Sequence, residues 1–140
     1  MARLTLRIDF QNGAIGPGKI RLLELVGQSG SISAAARAMN MSYRRAWLLI
    51  DGLNQCFRLP AVETQLGGTG GGGAVLTDFG HDLIARYRAI ERASAKASAA
   101  ELGALDAAQA RPRVAEGRHR APAPASSRRR SPLTPRRARG

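Results

Sequence analysis

Gly13, Gly18 and Lys19, in the stretch GAIGPGKI (residues 13–20), stand at the spacing of a phosphate-cradling loop. Such a loop holds phosphate on backbone N–H groups, and a Ser or Thr after the lysine ligates magnesium. Ile20 occupies that last place, and 140 residues leave little chain for the parallel sheet that carries such a loop. The stretch therefore reads as a turn from a strand into a helix. A second pattern, Gly68, Gly70 and Gly73, satisfies G-x-G-x-x-G. That fingerprint works when a helix N-terminus follows to hold the pyrophosphate, whereas AVLT (residues 74–77) reads as a strand. The single cysteine, Cys56, excludes a disulfide framework or a cysteine-cluster zinc site. In a helical pattern it reads as a small buried hydrophobe. His81 and His119 have no second ligand nearby in sequence. With no Ser/His/Asp arrangement and no metal-ligand spacing, neither an enzyme nor a bound cofactor or metal is expected.

The other chemistry-bearing pair is Arg44–Arg45, inside SGSISAAARAMNMSYRRAWLLIDGLNQCF (residues 29–57). Ser31 or Ser33 can N-cap a short helix reaching Met39, because each hydroxyl can accept from a free first-turn N–H. Asn40 tolerates the left-handed conformation of a tight turn. Ser42 then caps a second helix reaching about Phe57. Ala34, Ala35, Ala36 and Ala38 let the two helices approach closely, which is the pattern of a helix-turn-helix. On a wheel started at Arg44, Ala46, Trp47, Leu49, Ile50 and Leu53 fall between about 140° and 300°, the inward arc. Arg44, Arg45, Leu48, Asp51 and Gly52 fall outside it. Arginine can hold guanine O6 and N7 together, and a leucine can touch a thymine methyl, so this outward face suits the major groove.

The flanking elements would position that helix. ARLTLRIDF (residues 2–10) alternates Leu4, Leu6, Ile8 and Phe10 with polar residues, as a half-buried strand does. QNGAIGPG is turn material, and KIRLLELVGQ (residues 19–28) is amphipathic through Ile20, Leu22, Leu23 and Val26. After Pro60, AVETQL and AVLT read as a hairpin with the glycine-rich tip GGTGGGG. TDFGHDLIARYRAIERASAKAS (residues 77–98) reads as a long helix beginning at a Thr77 or Asp78 cap. Its stripe of Leu83, Tyr87, Ile90, Ser94 and Ala97 could face a partner helix. The expected fold is mainly α with a small β-hairpin wing: a winged helix-turn-helix plus a long dimerisation helix and a disordered basic tail. The domain occupies residues 1–110 and the tail residues 111–140.

The formal charge is +12, but ten arginines and one glutamate lie in residues 111–140, so the first 110 residues carry only +3. The tail is Arg, Pro, Ser and Ala with almost no large apolar residue, a composition that cannot bury a core. It admits three readings: a salt-sensitive phosphate-binding arm, a solvated extension without a task, or a by-product of GC-rich coding. No apolar run reaches the roughly 18–20 residues of a membrane span. MARLTLRIDF alternates where a signal peptide needs a continuous apolar segment. A cytoplasmic protein with no membrane partner is expected.

Together, GSISAAARAMNMSYRRAW, GGTGGGGAVLT and FGHDLI resemble the N-terminal DNA-binding domain of ModE-type molybdate-responsive regulators, a winged helix related to that of LysR-type regulators. The resemblance covers about residues 15–97. It implies a bacterial or archaeal regulator that dimerises through the helices flanking its reader. Ser42, Tyr43, Arg44, Arg45 and Trp47 match the family's reader helix, and Gly67, Gly68 and residues 70–73 its wing. Thr69 stands where many relatives carry Lys or Arg. The residues expected to meet DNA are Ser33, Ser42, Tyr43, Arg44, Arg45, Leu48, Gly68, Thr69 and Gly70; those expected in the dimer interface are Leu83, Tyr87 and Ile90. Full-length members add molybdate-binding domains of small β-barrel type, in whose place this chain has its basic tail, so molybdate binding is not expected. The expected function is sequence-specific binding of double-stranded DNA by a homodimeric transcriptional regulator. The alternative is a protein-interaction module with only non-specific nucleic-acid binding through its tail.

Overall fold

A computed structural model describes residues 1–65 and 73–111. Residues Met1–Gln109 form one compact unit. Its centre is α1 (Pro17–Ser29), which starts with proline at a position needing no N–H donor. It stops at Gly30, left-handed at φ 69°, whose N–H donates to the Val26 carbonyl at 2.8 Å. Ile20, Leu22, Leu23 and Val26 are buried, so α1 supplies four of the ten buried Ile, Leu and Val side chains among the described residues.

Around α1 pack α2 (Ile32–Ala38) and α3 (Tyr43–Cys56). Ser31, rather than Ser33, caps α2, accepting from the Ala34 N–H at 3.1 Å. Asn40 takes φ 56°, and the Met41 N–H donates to the Ala36 carbonyl at 3.0 Å, closing the turn. Ser42 caps α3 by accepting from the Arg45 N–H at 3.1 Å. Ala35, Ala36 and Ala46 are each at most 1% exposed, the small residues letting the helices close. Ser42→Ala is expected to lower stability by about 0.5–2 kcal/mol, the usual cost of a lost cap. Thermal or urea unfolding checks this; an unchanged midpoint would show that the cap contributes nothing.

The expected fold class is corrected in three places. A single hairpin was expected, but the described residues hold two. β1 (Ile8–Phe10) pairs antiparallel with β2 (Gly13–Ile15) in the register Ile8↔Ile15, and β3 (Val62–Gln65) pairs with β4 (Gly73–Leu76) in the register Val62↔Leu76. The residues of β2 read as turn material because Ala14 and Ile15 are adjacent, set among glycines, and show no alternation. Ile15 is nevertheless buried, and its burial fixes the register. Second, the N-terminal strand is three residues long, because only Ile8–Phe10 has a partner strand. Third, the long helix expected at residues 77–98 is α4 (Asp78–Ala97), and a further helix, α5 (Ala99–Ala107), follows it after Ser98. The Ser98 hydroxyl donates to the Ser94 carbonyl at 2.6 Å, a back-bond that bends helices. Thr77 caps α4, accepting from the Gly80 N–H at 3.0 Å. Of the glycine-rich tip expected at residues 67–73, Gly73 belongs to β4; residues 66–72 and the tail beyond residue 111 lie outside the described residues.

Candidate nucleic-acid interface

Lys19 folds back on its own turn: its Nζ donates to the Ala14 carbonyl at 2.7 Å. Residues 13–20 run from β2 directly into α1, the strand-to-helix turn read from the sequence. Gly73 opens β4, so a strand and not a helix follows the second glycine pattern. Cys56, expected buried, is only half-buried.

The N-terminal half of α3 is different in character. Tyr43 is 55% and Leu48 52% exposed, and Arg44 and Arg45 are exposed between them. Ala46, Ile50 and Leu53 face the core, and Leu49 is half-buried. No acidic residue lies in the first turn of α3, and among the described residues neither arginine is in an ion pair. The helix's own N-terminal partial positive charge therefore adds to both guanidinium groups. Ser42 sits at the head of this surface as the cap, and Ser33 is half-buried on α2. Gly68, Thr69 and Gly70 fall outside the described residues.

Trp47 departs from the wheel, being 43% exposed rather than buried. With Ile32, Ile50, Asp51, Asn54, Val62 and Thr64 it lines a recess of about 150 Å³ where α3 meets β3. A periodic pattern locates the side of a helix but not where its covering neighbour stops, which is why Trp47 was misplaced.

The three residues expected in a dimer interface separate. Leu83 and Tyr87 are buried in the chain's own core, and the Tyr87 hydroxyl donates to the Leu6 carbonyl at 2.7 Å. Ile90 is 43% exposed. Beyond it, α5 buries no residue and exposes Leu105 at 67%.

The described residues thus present an exposed cationic helix face on a small α-rich scaffold. No protein-family model matches the chain. It is similar to the molybdenum-pterin-binding protein MopB of Rhodobacter capsulatus, 46% identical over 89 residues, 64% of this chain and 33% of the relative. The molybdenum transport protein ModE of Azotobacter vinelandii is 42% identical over 91 residues, covering 65% and 33%. The DNA-binding transcriptional dual regulator ModE of Escherichia coli K12 is 42% identical over 94 residues, covering 67% and 36%. The chain spans about a third of the length of the curated relatives it matches. It is thereby similar to transcriptional regulators and molybdenum-binding proteins, whose names describe binding, transport and regulation rather than catalysis.

Two expectations are corrected by these relatives. The motif resemblance confines the chain to the DNA-reading domain of regulators, apart from molybdenum binding. The relatives matched at this level include two named for binding molybdenum-pterin, so that restriction does not hold. For the same reason the expectation that molybdate is not bound is withdrawn. No helix among the described residues is long and apolar enough to cross a membrane.

Proposed function

We propose that this chain binds duplex DNA sequence-specifically through the N-terminal half of α3 and acts, as a dimer, in transcriptional regulation in the cytoplasm. The observation that carries the reading is the continuous exposed surface of Tyr43, Arg44, Arg45 and Leu48 on a helix whose opposite face is buried. A buried Ala46, Ile50 and Leu53 hold the helix rigidly, so the exposed residues keep a fixed spacing. Rigid placement matters because a guanidinium reads guanine through two parallel hydrogen bonds. The similarity to a relative named as a DNA-binding transcriptional regulator supports the same reading. Dimerisation is supported by the apolar surface that α4 and α5 leave uncovered at Ile90 and Leu105.

Phosphate contacts release counterions and therefore fade with salt, whereas the preference for one sequence comes from base edges. Affinity for a palindromic site and for random DNA is expected to fall with salt at comparable slopes while an offset between the two persists. A salt titration on both duplexes tests this. Two coincident lines would favour the interaction module, with nucleic acid held only non-specifically.

A further inference from the structure

Asn54 lies in the last turns of α3, and its carboxamide holds the segment that enters β3 by three hydrogen bonds. Its Oδ1 accepts from the Ala61 N–H at 2.9 Å and the Val62 N–H at 3.3 Å, and its Nδ2 donates to the Val62 carbonyl at 3.1 Å. Ala61 and Val62 are both buried, and Asn54 gives their backbone groups partners inside the fold. The same segment is held by the start of α4. The Thr77 hydroxyl donates to the Pro60 carbonyl at 2.6 Å, and the Thr77 N–H donates to the Ala61 carbonyl at 3.0 Å. Gly80 permits the close approach: a Cβ there would lie 2.2 Å from the Ala61 carbonyl oxygen. Residues 60–62 are therefore bonded to α3 and to the head of α4 at once. The two helices also meet where the Phe57 ring, just past α3, lies 5.2 Å from the Phe79 ring of α4, and each packs against α1.

We infer that Asn54 is a positioning residue: through residues 60–62 it fixes the orientation of α3 relative to α4, and so the spacing of two α3 helices across a dimer. A carboxamide suits this task because its acceptor and donor point in set directions, whereas an apolar contact tolerates rotation. The consequence for DNA rests on the proposed reading of α3; the orientation itself does not.

Two measurements on the full chain test it. Spin labels at Gly52→Cys on α3 and Arg92→Cys on α4, in a Cys56→Ser background diluted with unlabelled protein, report the angle between the helices. Gly52 has open space where a Cβ would stand, so the label is accommodated. Asn54→Ala is expected to broaden or shift the distance distribution. Asn54→Asp, which keeps the acceptor for both amides but sets a carboxylate oxygen against the Val62 carbonyl, is expected to restore only part of it. Thr77→Val opens the crossing from the α4 side and must shift the same distances; it serves if Asn54→Ala does not fold. In binding, Asn54→Ala should reduce the preference for one spacing between two half-sites by about tenfold, the effect of one lost buried partner, while single half-site affinity holds. Unchanged label distances, or an equal loss of affinity at every spacing, would overturn the inference. If the wild-type chain prefers no sequence, the DNA reading fails and the label distances alone decide the role of Asn54.

Discussion

Replacing Tyr87 by alanine is expected to destabilise the protein by about 3–5 kcal/mol, as truncating a fully buried aromatic does. Tyr87 is the largest of the fully buried side chains, at 1% exposure. Its hydroxyl ties Leu6, in the segment before β1, to α4. Its neighbour Arg88 bonds Glu24 on α1 and Glu91 on α4, so the same turn joins two helices by charge as well as packing. Burial pushes the Tyr87 phenol above its ordinary pKa, as expected where the neutral hydroxyl is the form enclosed. Tyr87→Phe separates the two contributions: it keeps the packing and should cost only about 1–3 kcal/mol, chiefly from leaving the Leu6 carbonyl with one partner fewer. Urea unfolding at several protein concentrations is the check. The loss should not depend on concentration, because Tyr87 is packed within one chain. A loss that shrinks as concentration rises would place Tyr87 in an interface between chains.

Replacing Arg44 or Arg45 by alanine should weaken binding to the cognate site by about 1–3 kcal/mol if that residue holds a base through two hydrogen bonds. The structure leaves both guanidinium groups exposed on the first turns of α3, and no ion pair among the described residues would be broken by the change. Folding stability should therefore move little, which makes affinity a clean readout. The altered protein should also tolerate more bases at one position of the site. Titration of cognate and random duplexes by fluorescence anisotropy distinguishes the roles. Equal loss on both duplexes would mean that the residue touches only phosphate.

What could be read in advance follows the range of the forces involved. The caps at Ser42 and Thr77, the left-handed Asn40 and the alanines between α2 and α3 all act within a few residues, so their types announce them. The exposed arginines were legible for the same reason: Ala46, Ile50 and Leu53 define the buried side of α3. Features set by distant partners were not. β2 exists because it pairs with β1 and buries Ile15, and nothing within Gly13–Ile15 alone signals that. The Tyr87 hydroxyl finds its acceptor at Leu6, eighty-one positions away in sequence, which nothing near Tyr87 announces. A helical stripe cannot tell a partner helix from the chain's own core, and so Leu83 and Tyr87 were assigned to the wrong one of the two. Asn54 gave no sign at all, since a half-polar residue on a helix matches no periodicity. Only the return of Ala61 and Val62 to its side chain reveals its use.

Selection of bound sequences from a pool of random duplex DNA tests the central claim most directly. The full chain is expected to enrich one palindromic family, with half-site centres about a helical turn or a multiple of it apart. Arg45→Ala or Arg44→Ala should then lose the preference at a defined position in each half-site while enriching the remainder. A pool that emerges from repeated selection without a shared sequence, or one enriched identically by the wild type and both arginine variants, would contradict sequence reading by α3.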